Sequence, residues 1–303
     1  MTGDRAARPR RALAWGLAAF CGLQLALAAA IELRAPWLRD PVYDRKLNQL
    51  QARLAASPDA PLVLALGSSQ TFDGFDAGRM EQRLNSGSTG DPVVYNFGLP
   101  GAGPLTELLV LKRLLREGIR PELLLLEVTP GLMHGAEQIA MSGDRLALGE
   151  LKIAAPFASG DRLFAAVRWL RSLTPFHTHR ESLLQASLPT FAAPRRWGMT
   201  FQMFDASGWE GIPPTPSAER AVYAKVLQDA YRPLLSASHL DERSRQCLRQ
   251  LVDLCRRERL RTILILMPES AAFEGLYSDA MQTAIQAEVV GLEREYQVSC
   301  VDA

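Results

Sequence analysis

The sequence LVLALGSSQT, residues 62–71, decides the fold. Its apolar run stops at Gly67, and Ser68 and Ser69 follow directly. A short apolar run bounded by turn residues predicts a strand buried on both faces. Reacting groups in open α/β sheets gather beyond the carboxyl ends of the strands. The two serines are therefore predicted to lie at the functional edge of a sheet.

Apolar runs and amphipathic stretches alternate on both sides of this strand. Strands are predicted at 62–66, 92–97, 122–128, 262–267 and 298–301, and helices at 76–84, 105–116, 241–257 and 278–296. The β-α-β order predicts a mainly parallel sheet with helices on both faces. The expected fold class is therefore α/β, a three-layer α/β/α sandwich with an N-terminal transmembrane helix.

The sequence divides into three predicted parts. Residues 1–34 are a tail and membrane anchor, 35–60 a helical stalk, and 61–303 the α/β domain. An insertion at about 130–217, rich in aromatic residues, Gly and Pro, interrupts that domain. We interpret so long an irregular segment as a lid or binding segment, with a small core of its own as the alternative.

Residues 12–31 form a charge-free apolar run that follows several arginines. As a helix it would measure about 30 Å, the hydrocarbon thickness of a bilayer. A signal peptide usually has a shorter apolar region, so an uncleaved anchor is favoured over a cleaved signal. Basic residues are balanced on its two sides and do not fix the orientation. The signal-like order of arginines before apolar residues predicts a single-pass protein with the main domain outside the cytoplasm.

Charge and cysteine usage exclude other classes. The net charge of +1 gives no electrostatic reason to expect nucleic acid as a partner. Cys247 and Cys255 are too far apart along one predicted helix to form a disulfide, and no metal-binding spacing occurs. We therefore expect free thiols, no metal and no cofactor.

Gly67 to Ser69 after the first strand, and Asn96 to Gly98 after the second, resemble the SGNH (GDSL-like) hydrolase superfamily over about 61–130 and 240–303. In that family a Gly-Asp-Ser motif carries the nucleophile, and a glycine after the second strand binds the oxyanion. The resemblance implies a flavodoxin-like fold, Ser69 as nucleophile and Gly98 in the oxyanion hole. The Gly-Ser-Ser variant is similar to envelope members that handle acyl groups on cell-surface polymers, the DltD-like and alginate-acetylation-like proteins.

The sequence departs from the family pattern at two blocks. The third block usually offers an asparagine, but here Thr129 follows the strand. The last block, Asp-x-x-His, is not found, and none of His134, His177, His179 and His239 has that context. We interpret the chain as C-terminally truncated before that block, with loss of catalysis as the alternative. A serine that merely caps a helix is the structural alternative for Gly-Ser-Ser.

The leading hypothesis is a membrane-anchored serine esterase or O-acyltransferase of the cell envelope. It would act on acyl esters of envelope polysaccharide, or a similar substrate, through an acyl-Ser69 intermediate. Expected partners are an acylated glycan or small ester, the membrane through residues 12–31, and a membrane-bound acyltransferase as a candidate. The alternatives are a non-catalytic SGNH-like protein that binds a glycan or a partner, and a scaffold without a small-molecule site.

Overall fold

The computed structural model describes residues 4–85, 87, 90–133, 145–157, 174–188, 204–211 and 216–302. The strands are β1 (Leu62–Leu66), β2 (Val93–Asn96), β3 (Leu123–Glu127), β4 (Arg261–Leu266) and β5 (Ser299–Asp302). The helices before β3 are α1 (Asp4–Leu33), α2 (Pro41–Ala56), α3 (Ser69–Gly74), α4 (Ala77–Leu84) and α5 (Pro104–Arg116). Those after β3 are α6 (Leu151–Ala154), α7 (Pro175–Thr178), α8 (Arg180–Ser187), α9 (Ser217–Leu235), α10 (Glu242–Arg257), α11 (Ala271–Glu274) and α12 (Asp279–Tyr296).

The strands form one parallel sheet in the order β2-β1-β3-β4-β5. From β1 the chain moves outward to β2 and then returns to β3 on the other side of β1. The direction of winding therefore reverses between β1 and β3, where Leu66 is paired with Leu126. The α/β class and the parallel sheet are confirmed, and each predicted strand is found within one or two residues of its predicted bounds.

Alternate side chains of β1 enter two separate apolar clusters, because successive residues of a strand point to opposite faces. Leu64 and Leu66 belong to the larger cluster, which includes buried residues of α5 and α10. Val63 and Ala65 belong to the smaller cluster, which includes Ala77 of α4. The strand is buried along its whole length, as its unbroken apolar run predicts.

The helix that we expected to be a stalk is part of the α/β domain. Tyr43, Leu47 and Leu50 of α2 are buried in the larger cluster. Apolar residues spaced by three and four positions form one face of a helix, and this spacing correctly predicted a helix within residues 35–60. The sequence did not show that this face has the sheet domain as its partner.

The outer edge of β2 is occupied by other parts of the chain. The Val94 N–H donates to Glu81 Oε2 at 2.8 Å, and the Val94 carbonyl accepts from Arg53 Nη1 at 2.9 Å. Two residues on, the Asn96 N–H donates to the Ser207 carbonyl at 2.8 Å. These groups face away from β1, so they would otherwise lack a partner in the sheet.

Lys46 of α2 completes this edge from a fully buried position. Its Nζ donates to the carbonyls of Asn96 at 2.8 Å and Gly208 at 2.6 Å. The same atom lies 4.5 Å from the ring centre of Phe72 and 4.7 Å from that of Phe204. Burial holds the pKa of this amine well below its usual value. Lys46 thus ties α2, β2 and residues 204–211 of the insertion together.

Helix α1 contains one stretch, Arg10–Leu33, that is long and apolar enough to span a membrane. Large apolar side chains along it, such as Leu17 and Leu23, are mostly exposed. This stretch includes the predicted anchor at 12–31.

Candidate functional site

The candidate site lies where the winding of the sheet reverses, beyond the carboxyl ends of β1 and β3. Ser68 and Ser69 follow β1, and Glu127 is the last residue of β3. Such reversal points form the crevice in which open α/β sheets bind ligands. The sequence predicted the serines at this edge but assigned no role to Glu127.

Glu127 is a buried carboxylate that holds the start of α3. Its Oε2 accepts the backbone N–H groups of Ser68 at 2.8 Å and Thr71 at 3.0 Å, together with the Thr71 hydroxyl. Its Oε1 accepts the Ser68 hydroxyl at 2.6 Å and the Thr129 hydroxyl. Hydrogen bonds to an ionised acceptor are stronger than neutral ones. The carboxylate therefore fixes the residues on both sides of Ser69.

The absence of a side chain at Gly67 makes this arrangement possible. A Cβ atom there would collide with the side chains of Glu127 and Thr71. The glycine that ends the apolar run is thus required by the close approach of Glu127.

Ser68 and Ser69 have different environments. The Ser68 side chain is buried, and its oxygen accepts the Gln70 N–H at 3.1 Å as the N-cap of α3. Ser69 is the first residue of α3 and is partly exposed. Within the described ranges, its hydroxyl has no hydrogen-bond partner. The capping alternative therefore applies to Ser68, whereas Ser69 is the more exposed of the two serines.

Gly98 lies beside this turn, but its N–H is already paired. The loop after β2 runs next to Gly67, because the Leu99 N–H donates to the Gly67 carbonyl at 2.8 Å. The Gly98 N–H, to which the resemblance gives a role in the oxyanion hole, donates to Asn96 Oδ1 at 2.8 Å. A Cβ at Gly98 would lie 2.5 Å from the backbone nitrogen of Phe72. Gly98 thus permits close packing of α3 in this structure.

Asn96 joins the two loops from a fully buried position. Its Nδ2 donates to the carbonyls of Thr71 at 2.7 Å and Phe75 at 2.8 Å, while its Oδ1 accepts the Gly98 N–H. Asn96 therefore connects the far end of α3 to the loop after β2. Glu127 and Asn96 together hold both ends of the helix that begins with Ser69.

The remaining predicted site residues lie apart from Ser69 or are engaged elsewhere. The hydroxyl of Thr129 donates to Glu127 and is buried. His177 and His239 are exposed, and His239 Nδ1 lies 3.1 Å from the hydroxyl of Ser238. His134 falls outside the described residues. Among the described residues, no histidine forms a hydrogen bond with Ser69.

A cleft of about 720 Å³ begins at Gln70, the residue after Ser69, and extends along β4, β5 and α12. Gln70 Nε2 donates to Glu269 Oε1 at 3.3 Å, and the Tyr277 hydroxyl donates to the same oxygen at 3.0 Å. Burial raises the pKa of the Glu269 carboxyl above its usual value. The cleft therefore has polar walls at Gln70 and Glu269, and apolar walls at Leu266 and Val289.

A second carboxyl, Glu107 of α5, is completely buried, and its Oε2 has no hydrogen-bond partner in the part of the chain that the structure describes. Burial raises its pKa well above the usual value, and the charge of Glu127 adds to this effect. A neutral carboxylic acid is the form that such an environment favours.

The described residues contain no group of three or more His, Cys, Asp and Glu side chains arranged to hold a metal ion.

Cys247 and Cys255 are buried free thiols, and burial raises the pKa of Cys255 to about 11. Buried thiols of this kind are poor nucleophiles.

No family model matches this chain, and no curated protein sequence matches it. The functional argument therefore depends on the residues of the site.

Proposed function

We propose that the protein is a membrane-anchored, SGNH-like serine esterase or O-acyltransferase acting on acyl esters of an envelope polysaccharide or a similar substrate. One observation carries the proposal: a partly exposed serine, whose hydroxyl has no partner among the described residues, begins a helix at the reversal point of a parallel sheet. Binding sites of open α/β sheets lie at such points.

The proposed chemistry is a two-step acyl transfer. The Ser69 oxygen attacks the ester carbonyl, a general base accepts the hydroxyl proton, and the alcohol leaves with a proton. Water or a glycan hydroxyl then takes the acyl group from Ser69. The Ser69 N–H is our candidate donor to the oxyanion. Gly98 would contribute a second donor if its bond to Asn96 opened when substrate binds.

The fold is consistent with this proposal. The order β2-β1-β3-β4-β5 is that of flavodoxin-like sheets, and apolar clusters line both faces of β1. We infer a three-layer sandwich from these clusters. Helix α1 would anchor the domain on the outer side of the membrane, because arginines precede its apolar stretch as in a signal sequence.

A non-catalytic, SGNH-like binding protein is the second candidate. Two observations favour it: the Gly98 N–H is paired within the protein, and the described contacts of Ser69 include no general base. A serine hydroxyl without a base is a weak nucleophile. In that case the cleft beside Gln70 would bind a glycan or a partner without reaction.

Labelling with a fluorophosphonate, which modifies activated serines, separates the two candidates. We expect the full-length protein to be labelled and Ser69→Ala to lose the label. Ser238→Ala is the matched control, because Ser238 is the exposed serine beside His239. Equal labelling of wild type and Ser69→Ala would refute the assignment of the nucleophile. Unlabelled wild type would favour the binding protein.

A further inference from the structure

Part of the insertion touches the candidate membrane helix within its apolar stretch. The Phe176 N–H of α7 donates to Gln24 Oε1 of α1 at 3.3 Å. The Gln24 side chain is buried, although most of the stretch Arg10–Leu33 is exposed. Helix α7 therefore covers one polar position on a helix that is otherwise apolar there.

The position of Gln24 sets the depth of this contact. Gln24 precedes Ile31, the last residue of the charge-free run, by about 10 Å at a rise of ~1.5 Å per residue. Amphipathic helices at a membrane surface bury their apolar face roughly 5–10 Å into the boundary between headgroups and acyl chains. If α1 crosses the bilayer, the contact between Phe176 and Gln24 places α7 at about the depth to which the apolar face of such a helix is buried.

Helices α7 and α8 expose large apolar side chains. Phe176 is 61% exposed, Leu184 45% and Leu188 49%. Ser182 and Ala186 of α8 line a cleft shared with α2, whereas Leu184 lies on another side of the helix, and Leu188 directly follows its last residue. Transfer of this apolar area from water to an apolar surrounding would be favourable.

The flanking residues match a membrane interface. Arg180 is exposed and lies one turn before Leu184, with Nη1 donating to the His177 carbonyl at 2.7 Å and Nη2 3.6 Å from Glu181 Oε1. Arg34, directly after α1, is exposed, and Trp37, three residues further on, is 47% exposed. Tryptophan and basic side chains are typical of the headgroup level, where apolar and charged surroundings meet.

We propose that α7 and α8 lie in the surface layer of the bilayer that α1 crosses. Phe176, Leu184 and Leu188 enter the acyl-chain boundary, and Arg180 contacts lipid phosphate. The inference depends on the membrane anchor proposed above, but not on catalysis by Ser69. It makes one segment of the insertion a second membrane contact, so the domain is held to the lipid at two places.

The test measures quenching of a bimane fluorophore by brominated lipids in vesicles that contain the full-length protein. Single accessible cysteines are placed at Phe176→Cys and Leu184→Cys, after replacement of Cys21 and Cys300. A separate variant that keeps native Cys21, in the apolar stretch of α1, and replaces only Cys300 is the positive control. Asp59→Cys, exposed beyond the far end of α2, is the negative control.

We expect positions 176 and 184 to be quenched to a fraction similar to that at Cys21, and position 59 to be unaffected. Quenching at Cys21 without quenching at 176 and 184 would overturn the inference and leave the anchor in place. No quenching at any position would overturn both the anchor and the inference. The quenching experiment does not depend on labelling by fluorophosphonate. A failure of the proposed catalysis can therefore be distinguished from a failure of the proposed membrane contact.

Discussion

Replacing Glu127 with alanine is the most direct test of the site's architecture. The change removes the acceptor of the Ser68 and Thr71 N–H groups, which are buried beneath the start of α3. A buried donor left without a partner costs about 1–3 kcal/mol, so the two together predict a loss of roughly 2–6 kcal/mol in the free energy of unfolding. Since whole domains are stable by about 5–15 kcal/mol, this is a large fraction.

The assay is urea unfolding of the full-length protein in a non-ionic detergent, followed by tryptophan fluorescence. A lower midpoint with an unchanged slope would show a loss of stability without a change in the unfolded state. Glu122→Ala is the matched control, because Glu122 is exposed just before the other end of β3. We expect that control to change stability by less than about 0.5 kcal/mol.

Glu127→Gln refines the test. The amide keeps one oxygen for the two backbone N–H groups but loses the charge, so we expect a smaller loss than for alanine. If Glu127→Ala were no less stable than Glu122→Ala, the carboxylate would not hold α3, and our account of how Ser69 is positioned would be wrong.

Three further predictions concern buried groups. Burial raises the pKa of Glu107, so the free energy of unfolding falls as pH rises above 4.5, where the unfolded state ionises and the folded state stays protonated. Glu107→Gln should remove this pH dependence, a slope of up to about 1.4 kcal/mol per pH unit. Identical plots of unfolding free energy against pH for wild type and variant would contradict this. Gly98→Ala should lower stability by about 1–3 kcal/mol through overpacking, whereas Gly149→Ala, in open space, should be neutral in the same urea unfolding assay. Lys46→Met should lower the free energy of unfolding by about 2–4 kcal/mol and make residues 204–211 susceptible to limited proteolysis. Lys152→Met, at an exposed position, is the control, and equal cleavage of the two variants would contradict the prediction.

The sequence predicted the sheet well because its strands are unbroken apolar runs bounded by turn residues. Two helix starts were also predicted to within one residue: Asp76 and Asp241, the first residues of the predicted helices, are the N-caps of α4 and α10. The short helix α3 was missed, because its six residues carry no periodicity.

The supports of the site were not predicted, because they depend on contacts between distant residues. Glu127 has one local signal, a carboxylate at the end of a run of leucines, where a charge must be paired if buried. Nothing near Lys46 shows that its partner Gly208 lies 162 residues later. The apolar face of α2 was visible, but not the surface that covers it.

The occupied edge of β2 has a consequence for self-association. Glu81, Arg53, Lys46 and residue 207 together imitate the hydrogen bonds of a neighbouring strand. Natural sheets block exposed edges in this manner to prevent strand addition by another molecule. On the β2 side, a second chain would have to displace an arginine, a buried lysine and a segment of the insertion before it could pair. On the side of β5, where most residues are exposed, an added strand would have to displace Glu293 Oε1, which accepts the Cys300 N–H at 2.9 Å.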